Sequence, residues 1–73
     1  MTGKELAKLA EAAFGKRWKY TVRDKLKVSR EMLWRYETGQ TPISDDLNDR
    51  FRKLFKPQIE RNRDALTALL KTL

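Results

Sequence analysis

Val28-Ser29-Arg30-Glu31-Met32-Leu33-Trp34-Arg35-Tyr36-Glu37-Thr38-Gly39 reads as a short helix with both ends marked. Ser29 suits the N-cap, where a side-chain oxygen accepts from a free amide of the first turn. Val28 and Leu33 stand at the two positions of a hydrophobic staple, which fixes how the chain enters the helix. Gly39 ends it at the other side. At about 100° per residue, Leu33 and Tyr36 share the core side, and Glu31 and Arg35 point nearly opposite. Arg30 and Trp34 flank that outer face on one side. Met32 flanks it on the other, where it reads as an edge of the core.

Working outward, a second short helix lies directly upstream, over about residues 17–26. Trp18, Val22 and Leu26 form its apolar stripe, and its other positions are largely basic or polar. Before it, residues 3–14 form a helix whose start carries a capping box of Thr2 and Glu5. Leu6, Leu9, Ala10 and Ala13 share its apolar face, and Gly15 follows as its stop. Downstream, Ser44 caps a fourth helix with Asp45 and Asp46 at the positive end of its dipole. Leu47, Phe51, Leu54 and Phe55 make its stripe. Pro57 interrupts that pattern and suits the first position of a fifth helix, over about residues 57–73. Ile59, Leu66, Leu69, Leu70 and Leu73 line one side of this last helix, with Asn62 in the same stripe. The expectation is an all-α, five-helix single domain spanning residues 1–73.

The totals exclude several functions. A chain of 73 residues is near the lower limit for an unassisted core. It has no cysteine and no histidine, so it lacks thiolate metal sites, disulfides and the commonest general base. No cluster of carboxylates and lysines has catalytic spacing, so no enzyme is expected. No cofactor, metal or small-molecule ligand is expected either. No apolar run approaches the roughly 18 residues of a membrane span, and no signal-peptide core follows Met1. The expected location is the cytoplasm.

The net charge is +7, and its placement is informative. Residues 16–40 carry eight bases (Lys16, Arg17, Lys19, Arg23, Lys25, Lys27, Arg30, Arg35) against Asp24, Glu31 and Glu37, while residues 1–15 are balanced. Most of the excess therefore sits on the pair of short helices, where a polyanion would be met.

The run from Leu26 to Gly39 resembles the turn and recognition helix of the lambda-repressor/Cro-type helix-turn-helix family. Leu26, Val28, Ser29, Leu33, Tyr36, Glu37 and Gly39 match its pattern. The flanking helices are similar in number and length, so the resemblance covers roughly residues 2–56, and small phage and mobile-element regulators are the nearest comparison. Two positions depart from it. Lys27 stands at the usual turn glycine, and a non-glycine residue at positive φ costs roughly 1–2 kcal/mol. Arg23 replaces the small residue that lets the two helices approach, so it must turn outward or the helices must cross less closely.

The resemblance implies a double-stranded DNA partner, with the recognition helix in the major groove. It places base-reading positions on Ser29, Arg30, Glu31, Trp34 and Arg35. An arginine fork fits guanine O6 and N7, which singles out Arg30 and Arg35. Two roles are open to Glu31: accepting from a cytosine amino group, or orienting Arg35 as an i, i+4 partner. Trp34 can cover a thymine methyl or a sugar, pack on Trp18, or pack on a partner subunit. Phosphate contacts are expected from Lys16, Arg17, Trp18, Lys19 and Lys27, and from Thr38, Gln40 and Thr41 beyond the recognition helix. Members of the family commonly dimerise. The candidate dimer interface is Ile59, Asn62, Leu66, Leu69, Leu70 and Leu73, with Asn62 setting register. The implied function is a sequence-specific transcriptional regulator, a dimeric repressor or autoregulator on an inverted-repeat operator. The alternative is a protein-interaction module, an antitoxin or inhibitor subunit, that binds DNA only through its charge.

Overall fold

The computed structural model describes residues 1–73. The protein is all-α, with α1 at Gly3–Phe14, α2 at Trp18–Leu26, α3 at Arg30–Glu37 and α4 at Asp45–Leu70. Three of the four starts carry a side-chain cap, and α2 begins after Arg17 without one. At α1 the capping box is closed in both directions: the Glu5 amide donates to Thr2 Oγ1 at 3.2 Å, and the Thr2 amide donates to Glu5 Oε1 at 3.0 Å. The backbone hydrogen bond from Thr2, helped by its side chain, holds the Glu5 carboxyl below its usual 4.5. Ser29 and Ser44 cap α3 and α4 through bonds from the amides of Met32 and Leu47.

Helix α1 is the hub. Helix α4 packs along it, and α2 and α3 contact both it and each other. The core is made of Leu6, Ala10 and Ala13 of α1, Trp18 and Val22 of α2, Leu33 of α3, and Leu47, Phe51 and Phe55 of α4. The alanines of α1 let the large rings of α4 approach closely. Phe51 and Phe55 stack at 5.6 Å, and Phe14 meets Phe55 edge-on at 6.1 Å. Leu9, expected on the core face, instead lies at the rim, 37% exposed.

The fifth helix does not form as a separate element. Residues 45–70 are one helix with Pro57 inside it. An interior proline removes one amide and costs about 3 kcal/mol. Continuity nevertheless wins, because Phe51, Phe55, Ile59 and Asn62 recur at helical spacing on one face. Phe51 and Phe55 are core residues and Ile59 packs against the core, while Asn62 bonds to α1. A break at residue 57 would pull the last two away. Pro57 and Lys53, whose carbonyl loses the amide, are both exposed, so water can serve the orphaned acceptor. Helix α4 is about 39 Å long by its rise, which accounts for a molecule of 44 × 21 × 20 Å. Every residue from Arg63 onward is exposed. No helix is long and apolar enough to cross a membrane.

Gly3 is where α1 meets the end of α3. A Cβ there would collide with the carbonyl oxygens of Tyr36 and Glu37. Gly3→Ala is therefore expected to destabilise the protein by about 1–3 kcal/mol through overpacking. That is against the helix propensity of alanine, which by itself favours the change by about 1 kcal/mol. A rise in the urea midpoint would show that the helices can separate without cost.

Candidate nucleic-acid interface

Helices α2 and α3 are joined by Lys27, Val28 and Ser29. Lys27 adopts the left-handed conformation, φ 58° and ψ 35°, and its amide donates to the Arg23 carbonyl at 2.9 Å. The turn is thus built with the geometry a glycine would favour, and lysine bears the strain. Val28 packs against the core, and from α4 the Arg50 Nη2 donates to the Leu26 carbonyl at 2.9 Å. These anchors over-determine the turn. Lys27→Gly should relieve the strained φ and raise stability by about 1 kcal/mol, the size of the penalty it removes. An unchanged or lower midpoint would mean that glycine's extra freedom in the unfolded chain offsets the gain.

A second tie joins the two helices. Lys19 Nζ lies 2.6 Å from Glu37 Oε2, with both side chains about 30% exposed. This ion pair links the first turn of α2 to the last residue of α3. The ammonium has three donors, so a phosphate oxygen can still share it, but its position is set by Glu37.

Buried Leu33 turns Glu31 and Arg35 to the opposite side of α3, with Arg30 and Trp34 flanking them, and all four are exposed. At eight residues the helix is about 12 Å long, comparable with the width of a B-DNA major groove. Arg35 Nη2 donates to Glu31 Oε1 at 3.0 Å, so Glu31 orients Arg35 in the free protein. Trp34 is 48% exposed. It does not stack on Trp18, since the aromatic pairs of the protein are Phe14–Phe55 and Phe51–Phe55. Ser29 Oγ accepts from the Met32 amide, which leaves its hydroxyl proton and one lone pair for another partner.

Three residues expected near phosphate or at an interface have other duties. Trp18 is 4% exposed and belongs to the core; its burial removes it from the phosphate-facing set. The Thr38 hydroxyl donates to the Trp34 carbonyl at 2.9 Å, closing the end of α3, so its one proton is spent. Asn62 donates through Nδ2 to the carbonyls of Ala12 and Ala13, at 2.9 and 3.0 Å. It therefore caps the C-terminal end of α1 within its own chain and is not free to set a dimer register. The end of a helix always leaves carbonyls to satisfy, but nothing local points fifty residues ahead to the amide that serves them.

The amides of Gln40 and Thr41 donate to the Arg35 carbonyl at 2.9 and 3.3 Å, while their side chains have no protein hydrogen-bond partner. Lys16, Arg17 and Lys27 are exposed. Arg23 turns outward, as its bulk demands, with Nε 3.4 Å from Asp24 Oδ1.

No family model, no curated protein and no solved structure matches the chain.

The residue that sequence reasoning missed is Tyr20. It is exposed on α2, yet the guanidinium of Arg30 lies 4.6 Å from its ring centroid and that of Arg23 lies 5.5 Å away. The i, i+3 spacing to Arg23 is visible in the sequence. The contact with Arg30 crosses the turn and is not.

Of the residues expected at a dimer seam, Ile59 packs against its own core. Leu66, Leu69, Leu70 and Leu73 are exposed at the projecting end of α4. Back along the same helix, an open groove of about 760 Å³ is lined by Leu9, Phe55, Pro57 and Ile59, with Arg52, Lys53 and Lys56 at its edge.

Proposed function

We propose that the protein is a sequence-specific DNA-binding regulator of the helix-turn-helix kind, acting as a dimeric repressor on an inverted repeat. One observation carries the reading. A short helix is anchored by a single buried leucine and presents Arg30, Glu31, Trp34 and Arg35 outward, beside the exposed Lys16, Arg17 and Lys27. In this reading α3 enters the major groove. Arg30 and Arg35 read base edges, and Trp34 covers a thymine methyl or a sugar. The basic residues flanking α2, with Gln40 and Thr41 beyond α3, meet the phosphates. One such helix reads too few base pairs for strong selectivity, so two copies pair through the leucines at the end of α4. Their recognition helices then meet major grooves about 34 Å apart.

The deciding experiment is selection of bound sequences from random duplex DNA at near-physiological salt. An enriched inverted repeat with half-sites about one turn apart supports the reading. Binding that enriches nothing and disappears as salt rises means that charge alone is being read. Arg35→Ala is expected to weaken specific binding by about 1–3 kcal/mol and relax the preference at one base pair per half-site. Unchanged affinity and preference would remove Arg35 from the reading face.

The four exposed leucines favour a second reading, a protein-interaction module of the antitoxin or inhibitor type. It predicts a stable complex with another protein through the end of α4, and only weak, salt-sensitive DNA binding.

A further inference from the structure

Arg30 and Arg35 are both exposed on α3, about 140° apart around its axis, and are held differently. Arg35 is paired with the Glu31 carboxylate, which occupies one of its in-plane donors. Arg30 makes no ion pair; its partner is the ring of Tyr20, 4.6 Å from guanidinium carbon to centroid. That lies well inside the range of roughly 6 Å over which a ring quadrupole attracts a cation. Arg23 sits near the same ring at 5.5 Å but has the Asp24 carboxylate beside it as well.

We infer that Tyr20 is a positioning residue for Arg30: its ring, carried by α2, holds the Arg30 guanidinium beside the start of α3 and so sharpens base selectivity. The chemistry favours a ring for this task. A ring attracts the cation through its π face and takes up none of the five N–H donors, which lie in the guanidinium plane. The fork that would meet a base edge stays intact. An arginine side chain also has many rotamers to lose on binding. Tyr20, fixed on α2 across the rigid turn at Lys27, reduces what remains to be lost when DNA arrives. The restraint on Arg30 is a property of the free protein. Its effect on selectivity rests on the proposed DNA reading.

Wild type, Tyr20→Phe, Tyr20→Leu and Arg30→Ala separate the two parts. In the free proteins, the Arg30 side-chain protons should show an upfield ring-current shift in NMR spectra of wild type and Tyr20→Phe. They should return to ordinary positions in Tyr20→Leu. Ordinary positions in wild type would overturn the inference without reference to DNA. In selection from random duplex DNA, Tyr20→Leu should lose about two- to five-fold of the preference at the base pair that Arg30→Ala relaxes. Tyr20→Phe should keep that preference, and the salt slope should be the same for wild type and Tyr20→Leu. A Tyr20→Leu preference like wild type, with Arg30→Ala relaxed, overturns the inference and leaves the DNA reading standing. Equal losses in Tyr20→Phe and Tyr20→Leu would assign the effect to the hydroxyl and also overturn it. No change in Arg30→Ala removes Arg30 from base reading and overturns the inferred role of Tyr20 in selectivity, while the DNA reading itself stands or falls with the enriched inverted repeat.

Discussion

Replacing Phe51 with alanine is expected to cost about 3–5 kcal/mol, the range for removing a fully buried aromatic ring. Phe51 has no exposed surface. Its ring stacks on Phe55 at 5.6 Å with the planes 5° apart, and aromatic pairs contribute about 0.5–1.5 kcal/mol beyond simple burial. The loss must be set against the whole. At about 0.05–0.15 kcal/mol per residue, a chain of this size is stable by roughly 4–11 kcal/mol. The variant should therefore be partly unfolded at room temperature, with a large drop in urea midpoint by both circular dichroism and tryptophan fluorescence. Phe51→Leu, which keeps most of the apolar volume, should cost markedly less. A Phe51→Ala midpoint near that of wild type would mean that the core can close over the space, contrary to its place as a fully buried core residue.

Leu33→Ala is the second large effect, at about 2–5 kcal/mol, and its consequences should be more local. Leu33 is the one buried residue of α3. Eight residues are well short of the roughly 12–15 that an isolated helix needs to persist in water, so α3 depends on this anchor. Amide hydrogen exchange should accelerate across residues 30–37 more than in α1 or the first half of α4. On the proposed function, DNA binding should fall further than the loss of global stability alone would require. A near-wild-type midpoint with unaltered exchange would refute the anchoring role.

The starts of α1, α3 and α4 were legible in the sequence because caps act over three residues: Thr2 with Glu5, Ser29 with Met32, Ser44 with Leu47. The apolar stripes were legible because 3.6-residue spacing needs no partner to be recognised. The candidate interface was legible in part. Burying Leu33 dictates that Glu31 and Arg35 face outward with Arg30 and Trp34 flanking them, and i, i+4 spacing joins Glu31 to Arg35. Trp18 was read both ways: its i, i+4, i+8 spacing with Val22 and Leu26 placed it in the apolar stripe, which its burial bears out, while the resemblance placed it near phosphate.

Composition and local spacing determined that this chain is helical, strongly basic over residues 16–40, and sharply turned between two short helices. Those are short-range properties, set by caps, periodicity and charge. Tertiary structure alone decided that α4 runs through Pro57, because beyond the proline Ile59 packs against the core and Asn62 bonds to α1. It decided that Asn62 caps α1 and that Gly3 must be small. It also decided that Lys27 bears a left-handed turn and that Tyr20 lies under Arg30. In the first three cases the partner lies far away in sequence. In the last two, packing of α2 against α3 overrides the preference of the isolated residue.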